Sequence, residues 1–253
     1  MLKKLSIFAI FLIIIGGVGA ILTFEPDEIK SMNEKQSVNL SSVKRIKMST
    51  ISTDIQVISS ETATEATIEL IGNAKSSQMP SLAVKVNDDE LIVDVDTTPV
   101  NKWFNIDFSF EFYAPNMELL VILPGKQYDN LDVSTVSGDV YIDNITVNNH
   151  AISTVSGDVD VEKLTGESDI STTSGDVFIF TKMIDSPMLI ETVSGDIEVE
   201  VESTPSNATL NVDTVSGDIN LLDQEIDQLI LGKGTYKIEF STISGDIDFV
   251  NNH

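Results

Sequence analysis

The tripeptide Ser-Gly-Asp occurs six times in the second half of the chain, and this repeat constrains the fold more than any other feature. Its central glycines are separated by 19, 18, 20, 22 and 28 residues. A threonine always stands three positions before the glycine, and a valine or isoleucine two positions after it. Each repeat is therefore expected to form the same structural turn, at Gly138, Gly157, Gly175, Gly195, Gly217 and Gly245.

The residues on both sides of each repeat predict β-strands. Apolar residues stand five positions before the glycine and four after it, and the residues between are mostly polar, which is the period of a strand with one buried face. The buried positions have odd offsets before the glycine and even offsets after it. The tripeptide must therefore reset the alternation, as a bulge or corner would, with glycine free to take a positive φ.

A unit of about 20 residues with two short strands cannot enclose a core alone, so the next unit must cover its apolar edge. We therefore predict an all-β fold, a β-solenoid of stacked coils ~4.8 Å apart, in which Gly138 to Gly217 lie on one line. Antiparallel hairpins or a sandwich is the alternative, although neither requires the same residue at each offset. The long last spacing predicts a short capping helix over 223–231, or else a bulging loop.

The Ser-Gly-Asp solenoid is assigned to residues 129–253. An irregular β region over 43–128 is expected to cap its membrane-proximal end, and residues 25–42 are expected to form a linker. Within the irregular region, Met48–Val57 is similar to a degraded first coil with Thr53 in the glycine place, and 82–95 is hairpin-like.

The first 24 residues predict a membrane segment. Lys3 and Lys4 precede an uncharged run from Leu5 to Phe24, long enough to cross a bilayer core of ~30 Å as a transmembrane helix. Residues 5–24 would then contact the cell membrane in a single pass, and the rest of the chain would be extracytoplasmic. A cleavable signal peptide, ending near Val18-Gly19-Ala20, is the alternative and would give a secreted protein.

Composition excludes several classes of function. The net charge of −25, from 15 basic and 40 acidic residues, repels phosphates and excludes a nucleic acid partner. The absence of cysteine excludes disulfide scaffolds, thiolate metal sites, cysteine nucleophiles and a lipoprotein anchor. The two histidines are His150 and His253, and a metal site with two or three histidine ligands would need nearly all of them. Most classes of metalloenzyme are therefore disfavoured, and no cofactor is predicted.

These features together resemble a known family. A membrane segment, a β region ending in Val-Ile-Leu-Pro at 121–124, and Thr-Val-Ser-Gly-Asp-Val units resemble the bacterial putative-adhesin family of β-strand-repeat proteins, a domain of unknown function, over Val43 to Phe249. The resemblance implies an exported or membrane-anchored envelope protein. Some members are encoded beside systems that respond to envelope stress, and the family brings no catalytic residues.

The aspartates of the repeat are the strongest candidates for a binding site, in this case for a cation. Stacked carboxylates ~4.8 Å apart repel by about 0.9 kcal/mol per pair even in water. Bound Ca²⁺ would offset this repulsion, although the Gly-Gly-x-Gly-x-Asp pattern of calcium-binding repeats is absent. Hydrogen bonds from the backbone of each aspartate's own corner are the alternative. The ladder consists of Asp139, Asp158, Asp176, Asp196, Asp218 and Asp246.

Three other features carry alternatives. His150 would have to serve any Ser-His-Asp triad, but is expected to be a partly exposed strand residue. Trp103 and the alternating aromatics of 104–113 form either a binding platform or, as favoured, a strand packed on the solenoid. The stripe Val136, Val155, Val193, Val215 and Ile243 cannot share a face with the threonines, so one of the two ladders must point outward.

The sequence therefore favours a non-enzymatic extracytoplasmic surface protein that presents a repetitive solenoid for adhesion or for binding an envelope protein or glycan. A membrane-anchored regulator of a cell-envelope stress response is the alternative. A polysaccharide-active enzyme is less favoured. The acidic residues of this chain are spread evenly over the repeats, whereas a catalytic site needs one particular arrangement of acidic side chains at one place.

Overall fold

The computed structural model describes residues 28–76, 79–96 and 116–252, and the regular elements in these ranges are twenty β-strands. They are β1 (Ile29–Val38), β2 (Arg45–Ser49), β3 (Asp54–Ser60), β4 (Ala66–Lys75), β5 (Ser81–Asn87), β6 (Glu90–Asp96), β7 (Asn116–Pro124), β8 (Tyr128–Ser134), β9 (Val140–Asp143), β10 (Val147–Ser153), β11 (Val159–Glu162), β12 (Glu167–Ser171), β13 (Val177–Thr181), β14 (Met188–Glu191), β15 (Ile197–Val201), β16 (Ala208–Ser216), β17 (Ile219–Leu221), β18 (Gln228–Leu231), β19 (Tyr236–Ser244) and β20 (Ile247–Asn251). The all-β prediction is confirmed.

The strands form two long sheets of ten strands each. The first sheet has the order β1-β4-β7-β3-β9-β11-β13-β15-β20-β17, and the second has the order β18-β16-β19-β14-β12-β10-β8-β2-β6-β5. In every repeat the strand before the glycine belongs to the second sheet and the strand after it to the first. One repeat therefore makes one solenoid-like coil with one strand in each sheet.

Neighbouring coils pair in parallel and in register. Ile152 of β10 lies opposite Val133 of β8 and opposite Ile170 of β12. In the first sheet, Val161 of β11 lies opposite Ile142 of β9. Equal offsets from the glycine are therefore neighbours along the stack, because the register places repeat upon repeat without a shift.

The core lies between the two sheets. Alternate side chains of each strand point inward, as Val159 and Val161 do in β11, and they are almost completely buried. Fully burying such a side chain is worth about 1.5–3 kcal/mol, and each short strand supplies only two or three of them. A single coil therefore cannot hold a core, and stability comes from the stack.

The order of the coils at the C-terminal end differs from the order of the sequence. Strand β19 pairs with both β14 and β16, and β20 pairs with both β15 and β17. The repeat of Gly245 therefore lies between those of Gly195 and Gly217. Strands β16 and β17 form the outermost coil. The last coil in the sequence, formed by β19 and β20, lies between that coil and the coil of β14 and β15.

The predicted capping helix over 223–231 is wrong. Gln228–Leu231 forms strand β18, which pairs antiparallel with β16 at the edge of the second sheet. Leu222 and Asp223 turn the chain with φ of 52° and 63°. The apolar residues at 226, 229 and 230 fit a helical spacing, but backbone pairing with the exposed edge of β16 determines the structure there.

The N-terminal end of the stack consists of the same kind of coil, with one strand in each sheet. Strands β2 and β3 form a coil directly beside the first Ser-Gly-Asp repeat, with Met48 opposite Val133 and Val57 opposite Ile142. Strands β6 and β7 pair on its other side as a further coil. The 82–95 hairpin is present as antiparallel β5 and β6, with Asp88 at a φ of 53° in the turn.

The predicted linker at 25–42 is corrected by strand β1. Ile29–Val38 pairs with β4 over ten residues and forms the edge of the first sheet. Its polar composition fits an edge position, where one face meets solvent. The membrane segment predicted for 1–24 and the aromatics of 103–113 lie outside the described residues. Within the described ranges no helix is long and apolar enough to cross a membrane.

Candidate interaction edge

The corners that join the two sheets stack into one continuous border, here called the repeat edge. It consists of residues 50–54, 135–139, 154–158, 172–176, 192–196, 242–246 and 214–218, in spatial order. Backbone hydrogen bonds link the corners, as when Ser156 N donates to Val136 O at 2.9 Å and Ser174 N donates to Val155 O at 2.9 Å. The ladder of the sheets therefore continues through the corners and makes the edge rigid.

Glycine is required in the repeat by the close approach of the next coil. A Cβ atom on Gly157 would lie 2.0 Å from the carbonyl oxygen of Gly138, and one on Gly175 would lie 2.1 Å from that of Gly157. The expectation of a positive φ is wrong for Gly138, Gly157, Gly175 and Gly195, because φ is positive only at Gly217 and Gly245 among the six. At these four positions glycine is required because a larger residue would collide with the neighbouring coil, and not because the backbone has a positive φ.

The same contacts align all six glycines. Each added Cβ would meet the carbonyl of the neighbouring corner, beginning with Thr53 beside Gly138. The line then passes from Gly195 to Gly245 and ends at Gly217. An added Cβ on Gly245 would lie 2.0 Å from Gly195 O, and one on Gly217 would lie 1.9 Å from Gly245 O. The line thus follows the spatial order of the coils and contains Gly245 as well as the five glycines of the sequence prediction.

The threonines of the repeat point into the core. Thr135, Thr154, Thr172, Thr192 and Thr242 are buried, and Thr214 of the outermost coil is partly buried. Thr192 Oγ1 donates to Gly175 O at 3.3 Å, and Thr242 Oγ1 donates to Gly195 O at 3.2 Å. These two hydroxyls satisfy carbonyls of the neighbouring corner that a valine would leave unpaired, whereas Thr154 Oγ1 is buried with no hydrogen-bond partner.

The residue after each threonine points outward, which decides between the two ladders. These β-branched side chains form an exposed line, here called the ridge, interrupted by Thr173 in the third repeat. Their exposed fractions run from 44% at Val136 to 78% at Val215. Contiguous exposed apolar residues on a soluble surface are typical of contact sites. The ridge consists of Ile51, Val136, Val155, Val193, Ile243 and Val215.

The repeat aspartates, which directly follow the glycines in the sequence, form a ladder of hydrogen bonds from coil to coil. Asp158 N donates to Asp139 Oδ1 at 2.9 Å, and Asp176 N donates to Asp158 Oδ1 at 2.9 Å. The same bond continues through Asp196, Asp246 and Asp218 at 2.7 to 2.8 Å. The expectation that each aspartate binds its own corner is therefore wrong, because each carboxylate accepts from the neighbouring coil.

Asp54 is a member of this ladder that the sequence prediction missed. Asp139 N donates to Asp54 Oδ1 at 3.1 Å, so the N-terminal coil begins the series. The sequence contained a signal for this residue: Ser-Thr-Asp at 52–54 aligns with the Ser-Gly-Asp repeat, and Asp54 then takes the place of the repeat aspartate. These charge-assisted hydrogen bonds offset part of the repulsion between carboxylates without a cation.

The Ca²⁺ hypothesis for Asp139 to Asp246 stays a prediction. Among the described residues, no group of three or more acidic or histidine side chains is arranged to hold a metal ion. One oxygen of each of five carboxylates already accepts a hydrogen bond from a backbone amide; they belong to Asp139, Asp158, Asp176, Asp196 and Asp246. A cation on the ladder would therefore have to share these hydrogen-bonded oxygens or bind to the second oxygen of each carboxylate.

His150 is buried, in contrast to the partly exposed residue predicted. It is 2% exposed, and its Nε2 lies 2.9 Å from the carbonyl of Thr165. Burial lowers the pKa of His150 to about 4, and the contact with the Thr165 carbonyl opposes this only in part. The ring is therefore neutral and enclosed in the core, where it has no access to a substrate.

A family model and several solved structures match this chain. The model described as Toastrack DUF4097 matches residues 43–159 and 125–250. No match was found among curated proteins. The structure of a putative cell adhesion protein from Clostridium sporogenes is similar, with a TM-score of 0.52 and 17% identity over 88% of this chain and 100% of that one.

Two more distant structures show weaker similarity. A putative adhesin from Bacteroides fragilis has a TM-score of 0.42 and 13% identity, covering 86% of this chain and 97% of its own. One from Parabacteroides distasonis has a TM-score of 0.36 and 11% identity, covering 87% and 97%. The likeness to the Clostridium sporogenes structure concerns the fold. The matched residues, which include all six repeats, show that this chain belongs to the Toastrack DUF4097 family.

Proposed function

We propose that this chain is a non-enzymatic extracytoplasmic surface protein that binds a partner along its repeat edge, for adhesion or for assembly in the cell envelope. The observation that supports this function is the ridge. Val136, Val155 and Val193 expose nearly half of their surface at the same offset of their corners, although valines elsewhere in the same coils are buried in the core.

The rigidity of the edge favours binding. Backbone hydrogen bonds join each corner to the next, and glycine and threonine fix the spacing. A surface that is already ordered loses little conformational entropy when a partner binds. The protein therefore offers an extended, preformed line of apolar contacts to the partner.

The distribution of polar residues supports contact more than catalysis. The aspartates recur once per coil and make the same hydrogen bond in each. A catalytic site needs one constellation with groups in different roles. His150, the one histidine in the described residues, is enclosed in the core.

The proposed location rests on the sequence and the family. Residues 5–24 are proposed to anchor the chain in the cell membrane, with the coils outside the cytoplasm. The similar Clostridium sporogenes protein is described as a putative cell adhesion protein, which agrees with a surface role for this chain. The partner is proposed to be an envelope protein or glycan with an apolar surface, because the ridge is apolar and the neighbouring aspartates disfavour anions.

A threonine series tests this function. Thr173 already occupies the ridge position of the third repeat, so Val136→Thr, Val155→Thr and Val193→Thr together should preserve the fold. Beads carrying the full chain are incubated with cell envelopes of the organism that produces it, and retention is measured. The triple variant should be retained at least fivefold less than the unaltered chain.

The matched control replaces exposed apolar residues away from the ridge. Val86→Thr with Ile230→Thr removes apolar surface of comparable exposure from β5 and β18. This variant should retain the unaltered level of binding. Equal retention of the ridge variant and the unaltered chain, with both folded by circular dichroism, would contradict the proposed role of the ridge.

A further inference from the structure

The outer face of the first sheet carries a second arrangement, separate from the repeat edge. On β13, Phe178 and Phe180 point outward while Val177 and Ile179 are buried. Alternation along a strand places the Cα atoms of these two residues about 6.6 Å apart, with both side chains on one side of the sheet. Both side chains are half-buried, so each ring keeps part of its surface accessible on the outer face of the sheet.

Carboxylates flank both rings. The register places Asp160 of β11 and Glu198 of β15 on either side of Phe178. It places Glu162 and Glu200 on either side of Phe180 in the same way. Since adjacent strands lie about 4.8 Å apart, each ring has an acidic side chain on its left and on its right.

These four carboxylates have no basic partner among the ion pairs of the described residues. The neighbouring Lys163 pairs instead with Asp143 at 2.7 Å. The Oδ1 atom of Asp160 is buried without a hydrogen bond, whereas Glu200 accepts one from Asn252 Nδ2 at 2.7 Å.

The local environment disfavours the negative charges. Burial raises the pKa of Asp160, and the charge of Glu162 raises it further. Burial also raises the pKa of Glu198, with further contributions from Glu200 and Asp248. A cation beside these carboxylates would offset the repulsion between them and favour their charged forms. The face is thus complementary in charge to a basic partner.

The geometry fits guanidinium groups best. A cation over the face of an aromatic ring is attracted by the ring quadrupole, and arginine stacks there more often than lysine. A guanidinium over Phe178 would have Asp160 and Glu198 at its sides, and one over Phe180 would have Glu162 and Glu200. In an extended peptide, alternate side chains leave the backbone on one side about 6.6 Å apart, which matches the spacing of Phe178 and Phe180 along β13.

We propose that this face binds an extended, basic peptide segment of a partner protein through an Arg-x-Arg motif that runs along β13. Phe178 and Phe180 receive the two guanidinium groups, and Asp160, Glu162, Glu198 and Glu200 neutralise them. The site is independent of the ridge, so it extends the proposed function with a second binding surface of different chemistry.

A spacing experiment tests the motif. The full chain, in nonionic detergent at physiological salt, is titrated with two fluorescent peptides of equal composition, one containing Thr-Arg-Thr-Arg-Thr and the other Thr-Arg-Arg-Thr-Thr. The alternating peptide should bind at least fivefold more tightly, because adjacent arginines of an extended peptide point to opposite sides. Equal affinity for the two peptides, or no binding of either at millimolar concentration, would overturn the proposal.

A pair of charge variants separates the site from general attraction by an acidic protein. Glu198→Gln with Glu200→Gln removes two charges from β15, and Glu167→Gln with Asp169→Asn removes two at the same spacing from β12, on the outer face of the second sheet. The β15 variant should weaken binding at least tenfold, and the β12 variant less than twofold. Equal losses would show attraction by net charge only and would refute the site.

The aromatic residues are tested separately. Phe178→Leu with Phe180→Leu keeps apolar side chains on β13 and the charge of the face, but removes both rings. This variant should bind the alternating peptide at least fivefold more weakly while its melting curve stays cooperative. Unchanged affinity would contradict the role of the rings.

Discussion

The backbone amide of Asp158 donates to the carboxylate of Asp139 across the boundary between two coils, at 2.9 Å. The same residue thus has two functions, since its amide binds the coil on one side and its carboxylate accepts from Asp176 on the other. This bond explains why an aspartate recurs at every corner, even though the stacked charges repel.

The aspartate ladder predicts a difference between inner and terminal members. Asp158→Ala should destabilise the fold by about 1–3 kcal/mol, because it leaves the amide of Asp176 without its charged acceptor. Asp218→Ala should have little effect, because Asp218 lies in the outermost coil, where no described amide donates to its carboxylate. Chemical denaturation of both variants measures the difference. Equal losses of stability would contradict the ladder.

The close contact of the glycines predicts a large effect of a single methyl group. Gly195→Ala should destabilise the fold by about 2 kcal/mol or more, because the new Cβ would lie 2.1 Å from the carbonyl oxygen of Gly175. Gly125→Ala is the control, since its Cβ would meet only the flexible side chain of Glu61 at 2.9 Å. Thermal melting compares the two, and an unchanged midpoint for Gly195→Ala would show that the coils do not approach this closely.

Buried His150 predicts a pH dependence. Its pKa is lowered to about 4 in the folded chain from 6.5, so between these values the unfolded chain binds a proton that the folded chain does not. Stability should therefore be full above pH 6.5 and decrease by about 3 kcal/mol as the pH falls to 4.

The comparison with His150→Leu isolates this contribution from that of the carboxylates. The free energy of unfolding of the variant should decrease less over the same pH range. Parallel curves for the two proteins would show that His150 is protonated equally in the folded and unfolded chains.

The hydrogen-bonded ladder also predicts the effect of calcium. Because hydrogen bonds from backbone amides already stabilise the aspartate carboxylates, millimolar Ca²⁺ or its removal with a chelator should change the melting temperature by less than about 2 °C. A concentration-dependent rise of several degrees, lost in Asp158→Ala, would support a cation on the ladder instead.

The periodic part of the fold could be predicted from the sequence because each repeat is a local signal. The apolar positions around Gly157 define two strands and a corner, and the equal offsets define the register. The order of the last two coils could not be predicted, since the repeats of Gly217 and Gly245 have compatible edges and their order depends on long-range pairing. The strand at Ile29–Val38 and the strand at Gln228–Leu231 were missed for the same reason, because each is a short or polar segment that becomes a strand by pairing with an edge.

The candidate edge was predictable only in part. The sequence showed that threonines and valines must face opposite ways, but the hydroxyl bond from Thr192 to Gly175 decides which of them points inward. The face around Phe178 gave no signal, because its aromatic and acidic residues belong to three different repeats and only the register brings them together.

Disulfide trapping tests the central claim, that the corners of the repeats stack into one edge in which Ile243 of the ridge lies between Val193 and Val215. The chain has no cysteine, so engineered pairs on the ridge are free of interference. Val193→Cys with Ile243→Cys, and Ile243→Cys with Val215→Cys, should each form an intramolecular disulfide under mild oxidation, because equivalent positions of neighbouring, hydrogen-bonded coils lie within bonding range. Val193→Cys with Val215→Cys, two coils apart, should not. Mass spectrometry of the digested full chain reads the result, and a disulfide between positions 193 and 215, with none between 193 and 243, would contradict the account.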